Sequence, residues 1–164
     1  MSGNIPEPLA TSPRLENLTS WDSDWSGLRV VVTGIGISGF AAADTLIELG
    51  ARVVVVDAAD SAKARAQADT LRIVGAADVL LGEDAVGSVP KVDGEKPELI
   101  VTSPGWRPDQ ALLAAAARAH IPVWGDVELA WRVRERKGRK TADWLTITGT
   151  NGKTTTVGLT ESML

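Results

Sequence analysis

From Leu28 onward, short β-branched runs alternate with longer stretches whose apolar positions recur three and four residues apart. The first run, RVVVT at Arg29–Thr33, is apolar almost throughout, as suits a strand covered on both faces. In SGFAAADTLIELG, Phe40, Ala43, Leu46 and Ile47 share one helical face, and Gly50 stands where a helix stops. A second strand, RVVVVD at Arg52–Asp57, and a second helix, SAKARAQADTLRIVG with Ser61 as N-cap, repeat the unit. ADVLLG predicts a short third strand, Val86–Pro97 a surface loop, and ELIVTSPG a strand ending at Thr102–Gly105. PDQALLAAAARAH predicts a helix with Pro108 at its first position. IPVWG predicts another strand, and DVELAWRVRERK an amphipathic helix capped by Asp126. WLTIT predicts a last strand, running into a glycine loop and a final helix.

This alternation predicts an α/β fold with a parallel sheet and right-handed crossovers. The expected organisation is a Rossmann-like domain over residues 28–140, preceded by a loose arm, 1–27, rich in Pro, Ser, Asn and Asp. Trp21 and Trp25 are expected to fold back onto the domain edge. Residues 141–164 are expected to open a second, truncated domain of P-loop ATPase type, with its first strand, phosphate loop and helix.

Composition narrows the class. The 164 residues are 44% apolar, enough for a core, and contain no cysteine, so thiolate and disulfide chemistry are excluded. No apolar run approaches the ~20 residues of a membrane span, and the N-terminus lacks the pattern of a signal peptide. A soluble, cytoplasmic protein without membrane contact is expected. The net charge of −4 argues against a nucleic-acid partner. RVRERKGRK, at Arg132–Lys140, is the local exception, with six basic residues against one acid. It reads as cations at a helix C-terminus leading into a solvated linker, with an anion contact as the alternative.

Gly34-x-Gly36-x-x-Gly39 lies between a strand and a helix, the context that gives the pattern meaning. The first glycine permits a tight turn, the second lets a ligand approach the backbone, and the third lets helix and strand pack closely. Ile37, Ser38 and Gly39 then open a helix whose free N–H groups and dipole favour a pyrophosphate. Asp57, 18 residues beyond Gly39, ends the second strand, where it can accept hydrogen bonds from a ribose or a base. These residues indicate a nucleotide diphosphate without naming its base. An NAD(P)-dependent oxidoreductase domain and a non-catalytic nucleotide-binding module both fit them.

TGTNGKTTT, at Thr148–Thr156, is the sharper motif. Backbone N–H groups of Thr150, Asn151, Gly152 and Lys153 suit a phosphate nest, Lys153 the β- and γ-phosphates of ATP, and the Thr154 hydroxyl Mg²⁺. The usual G-x-x-x-x-G-K-[ST] spacing is absent, since Ile147 occupies its first position; Gly149 opens a shorter variant. VTSPGWRP ends a strand where open α/β sheets place ligands. Ser103 and Gly105 there suit either a substrate contact or a simple turn. His120, the single histidine, and the acids Asp126 and Glu128 read as helix-end residues.

GIGISG, VVVVD, VTSPG, IPVWGDVELAW and ITGTNGKTTT, in this order from about Trp25 to Leu164, resemble the Mur ligases of peptidoglycan synthesis. SPG with GDVEL resembles their D-glutamate-adding branch, of an actinobacterial kind. The resemblance implies that the Rossmann-like domain holds UDP: Gly34, Gly36, Ile37, Ser38 and Gly39 at the diphosphate, Asp57 at the uracil, Ser103 and Gly105 toward the sugar. It implies that Thr150, Asn151, Gly152, Lys153, Thr154, Thr155 and Thr156 hold ATP, with Thr154 on Mg²⁺ and Lys153 as the catalytic cation. The implied reaction is ADP-forming amide synthesis between UDP-N-acetylmuramoyl-L-alanine and D-glutamate through an acyl phosphate, in a monomer. The family's carbamylated lysine, further Mg²⁺ ligands and D-glutamate-binding domain have no counterpart in this sequence, so the chain alone is expected to be inactive.

Overall fold

A computed structural model of the chain describes residues 12–163. Five parallel strands form one sheet in the order β3-β2-β1-β4-β5, with β1 Arg29–Thr33, β2 Arg52–Asp57, β3 Asp78–Leu81, β4 Leu99–Thr102 and β5 Val123–Gly125. In register, β1 pairs Thr33 with Val56 on one side and with Thr102 on the other. The sheet thus grows in opposite directions from β1, and the β1–β4 boundary is the switch point at which such sheets leave a crevice beyond their C-terminal ends.

Side chains alternate across the sheet, so the β-branched runs feed two cores. Val30, Val32, Val53 and Val55 join Ala43 and Leu46 of α2 (Ile37–Glu48), Ala68 and Leu71 of α3 (Ala62–Val74) and Leu129 of α5 (Asp126–Val133). Val31, Val54, Val56 and Ile100 join Leu112 and Ala116 of α4 (Ala111–Arg118) on the other face. Because both faces are covered, these strands tolerate an unbroken valine run. Local signals act as expected at α3: the Ser61 hydroxyl accepts from Ala64 N at 3.2 Å, and Gly75 ends the helix at φ +116°.

Three boundaries differ from expectation. Pro108 lies outside α4, since the Arg107–Asp109 ion pair and the Gln110 N–H donating to Arg107 O form a separate turn first. Asp126 is the first residue of α5 rather than its cap; Gly125 takes that place. The run Trp144–Thr148 forms no strand, because no other strand among the described residues pairs with it.

Residues 12–27, expected as part of a loose arm, are anchored to the domain through three buried side chains. They include α1 (Pro13–Glu16), and Leu15, Leu18 and Trp25 are each about 1% exposed. Arg132 of α5 holds this segment, donating to Leu15 O and Leu18 O at 3.0 Å each while lying over the Trp124 ring. Arg134 and Arg136 lie over Trp131 and Trp21 in the same manner. Half of the basic run is therefore spent on aromatic faces and backbone carbonyls. Residues 1–11 of the expected arm lie outside the described residues.

Candidate functional site

The glycine motif divides its labour as the spacing suggests. Gly34 turns the chain out of β1 at φ +91°, its N–H donating to Val56 O at 2.7 Å. Gly39 packs α2 onto that turn so closely that a Cβ there would overlap the Gly34 carbonyl. Gly36 has ordinary dihedrals (φ −65°, ψ −171°) and open space where a side chain would be. Neither backbone strain nor packing calls for glycine at that position.

Gly36 is also the N-cap of α2 and offers no capping side chain, so the N–H groups of Ile37 and Ser38 find no acceptor among the described residues. Facing them, across the switch point, the Ser103–Trp106 turn follows β4, with the Trp106 N–H donating to Ser103 O at 3.1 Å. Between the two turns lies an open cleft of about 500 Å³ lined by Gly34, Gly36, Ile37, Ser38, the 103–105 segment and Trp106. No charged side chain lines it. Ile37 is 89% exposed at its mouth, an unusual place for an isoleucine unless something covers it.

Asp57 stands beside this cleft rather than in its lining. One carboxylate oxygen accepts from Ile35 N and the other from Ala59 N, both at 2.7 Å. Its first task is thus to fasten the loop after β1 to the loop after β2. Ser103 has a similar tie, its hydroxyl donating to Thr33 O at 3.0 Å. Replacing Asp57 by alanine would disturb the glycine turn as well as any base contact.

A cleft of amide donors at the switch point of a parallel sheet suits a nucleotide diphosphate, and the chain around it matches a known family. Residues 28–125 match the Mur ligase MurD-like, N-terminal domain. The chain belongs to that family. Similarity to whole Mur ligases extends past the match on both sides. Over 161 residues, 94% of this chain, it is 51% identical to the UDP-N-acetylmuramoylalanine–D-glutamate ligase of Leifsonia xyli. It is 51% identical over 87% of its length to the ligase of that name from Streptomyces coelicolor, and 52% over 87% to that of Streptomyces avermitilis. The chain spans only 30%, 29% and 28% of these relatives' lengths.

The Gly149–Thr156 loop is built differently from the Gly34 turn. Gly149 (φ +154°) and Gly152 (φ +78°) bend the loop, and α6 (Lys153–Met163) begins at the lysine. The Lys153 ammonium donates to Gly149 O, and the Thr156 hydroxyl to Gly152 O at 3.0 Å. Thr150, Asn151, Thr154 and Thr155 are exposed and make no side-chain hydrogen bond among the described residues. None of these residues lines the β1–β4 cleft. Pro104 and Trp106 do line it and were missed from sequence; their only signal was adjacency to Ser103 at the end of a switch-point strand.

Proposed function

We propose that this chain is the N-terminal part of an ATP-dependent ligase that adds D-glutamate to UDP-N-acetylmuramoyl-L-alanine in peptidoglycan synthesis. Its β1–β4 cleft would hold the UDP end of that substrate. The observation that carries the reading is the pair of unused amide donors at Ile37 and Ser38, opposite Ser103–Gly105, in a chain about half identical to ligases of that name. Diphosphate oxygens would take those N–H groups, with the α2 dipole adding to the attraction. Asp57 retains lone pairs beyond its two amide bonds and would accept from the uracil N–H, while Ser103 and Gly105 would face the sugar.

Thr150–Thr156 would hold ATP, with Lys153 exchanging Gly149 O for the β- and γ-phosphates. Thr154, exposed in the first turn of α6, fits one position on Mg²⁺. Among the described residues no three His, Asp or Glu side chains cluster to add a further ligand set. Bound there, the ion would offset phosphate charge. The L-alanyl carboxylate oxygen would bond to the γ-phosphorus as the bond to ADP breaks. The D-glutamate amine would then attack the acyl carbon and expel phosphate. Lys153 would balance charge growing on the transferred group. The protein would act in the cytoplasm as a monomer. With its phosphate loop unsupported by a sheet, the 164-residue chain alone should make no amide bond.

Calorimetric titration tests the reading. UDP should bind the chain saturably, and NADH should neither bind nor displace it. NADH binding without UDP binding would favour an oxidoreductase domain instead.

A further inference from the structure

We infer that Trp106 is a specificity-determining residue of the β1–β4 cleft, donating its indole N–H to the phosphate of a nucleoside diphosphate seated at the Gly34 turn. The inference rests on the nucleotide reading of that cleft and adds a residue to it. Trp106 is held on two sides. Its backbone closes the turn after β4, and the body of its ring packs against the buried cluster on the α4 face of the sheet. A ring so restrained keeps its polar edge in one place at little entropic cost.

That edge lies at the glycine turn. Nε1 is 3.2 Å from the position a Cβ on Gly34 would take, the same distance as the Ser103 hydroxyl oxygen. The Ser103 proton is already given to Thr33 O. The Trp106 N–H has no acceptor among the described residues, and it is not sealed from solvent. An indole nitrogen can only donate, so neighbouring N–H groups cannot satisfy it.

The cleft therefore gathers unused donors, among them Ile37 N–H, Ser38 N–H and Trp106 Nε1–H, in a lining without lysine, arginine or histidine. An occupant with acceptors on several sides satisfies them together, and a phosphate group has that chemistry. Because no cation shares the load, each neutral donor should carry a visible part of the affinity. A tryptophan here also explains how the cleft can hold an anion without a charged residue.

The test uses the 164-residue chain labelled with ¹⁵N, with the Trp106 indole resonance assigned through its own backbone. On addition of UDP this resonance should move downfield, as a donor does when it gains a charged acceptor. Trp106→Phe keeps an aromatic ring and loses the donor. It should bind UDP about tenfold more weakly, the loss typical of one hydrogen bond to a charged group. Its affinity for uridine, which has no phosphate, and its melting temperature should stay unchanged. An unmoved indole resonance, or UDP affinity equal to wild type in Trp106→Phe, overturns the role of Trp106 while leaving the nucleotide site intact. Equal weakening toward UDP and uridine also overturns it, as a packing effect. Failure of the wild-type chain to bind UDP overturns the nucleotide reading itself. Should Trp106→Phe fail to fold, the wild-type indole shift still decides.

Discussion

Gly36 and Gly39 stand three residues apart in one motif and should respond to an added methyl group in opposite ways. At Gly36 a Cβ meets nothing within 4 Å, and the dihedrals suit any residue. Alanine there gives up some tenths of a kcal/mol as an N-cap and regains about 0.4–1 kcal/mol by restricting the unfolded chain. Stability should therefore change by less than about 0.5 kcal/mol. UDP affinity should fall at least about tenfold, because phosphate oxygens must approach the Ile37 and Ser38 nitrogens to roughly 3 Å across that methyl.

At Gly39 the methyl would overlap the Gly34 carbonyl oxygen and lie 2.8 Å from its carbon and 3.1 Å from the Ser103 hydroxyl. Neither obstacle is a free side-chain end, since the carbonyl belongs to the β1 turn and Ser103 is tied to Thr33 O. α2 must move off the strand by about an ångström, carrying Ala42, Ala43 and Leu46 out of register with the core. Overpacking of this kind costs about 1–3 kcal/mol, and the upper end applies because the obstacle is backbone. A loss near 3 kcal/mol should lower the melting temperature by roughly 6–12 °C. Urea unfolding gives the stability, and calorimetry gives the affinity. Wild-type UDP binding in Gly36→Ala would refute the use of that open space, and wild-type stability in Gly39→Ala would refute the close approach.

Arg132→Ala removes a guanidinium that bonds Leu15 O, Leu18 O and Glu128 and lies 4.1 Å from the centre of the Trp124 ring. With the part-buried Leu18 carbonyl left unpaired and the Leu15 carbonyl reduced to its bond from the Leu18 N–H, a loss of about 2–3 kcal/mol is expected in urea unfolding, with Arg132→Lys intermediate; a change under about 0.5 kcal/mol would contradict the clamp. Asp93 is held below the ordinary carboxylate range, first by its hydrogen bond from Arg52 and then by the charge of that residue. Its contribution to stability is present above the ordinary carboxylate value and fades as pH falls through the lowered one, and Arg52→Gln should raise its NMR titration midpoint. In a full-length relative that retains the motif, the counterpart of Lys153→Met should depress turnover far more than ATP binding, because the charge balanced by the lysine grows during transfer; near-normal turnover would remove its assignment.

Much of the sheet could be read from sequence because its determinants are local. β1 and β2 are unbroken β-branched runs, and their bounds are those the sequence suggests. Ser61, Gly50 and Gly75 punctuate the helices through their own conformational preferences. The anchoring of segment 12–27 could not be read that way. Leu15 and Leu18 sit among polar residues; their side chains join the distant α2–α5 core cluster, and their carbonyls are held by Arg132, more than 110 positions away. Arg14 likewise pairs with Glu98 at 3.1 Å, a partner 84 residues distant. The cleft was half legible: a glycine motif announces itself, whereas Trp106 gains meaning only when β4 is set beside β1. For Asp57, position was legible but occupation by Ile35 N and Ala59 N was not.

The two motifs proposed to hold phosphate share a plan of glycine loop and helix, yet only one is preorganised within residues 12–163. The Gly34 turn leaves a strand hydrogen-bonded on both sides, and α2 buries Ala42, Ala43 and Leu46 beneath it. The loop before Lys153 leaves a segment paired to no strand, and α6 buries no residue while Val157, Leu159 and Met163 stand exposed. The one aromatic anchor nearby is Trp144, edge-on to Trp131 at 5.2 Å. A lone helix of about a dozen residues is marginal in water, because nucleation is costly and packing ordinarily supplies the stability. Hydrogen exchange should separate the two. Amides of β1 and β2 should open only with global unfolding, whereas those of α6 should exchange close to the unprotected rate. Protection of α6 comparable to that of β1 would show that its helix is stabilised by contacts other than those described, and Lys153 would then be fixed without a sheet. If α6 exchanges freely, adding MgATP should protect it little, since the binding energy would first be spent on ordering the loop.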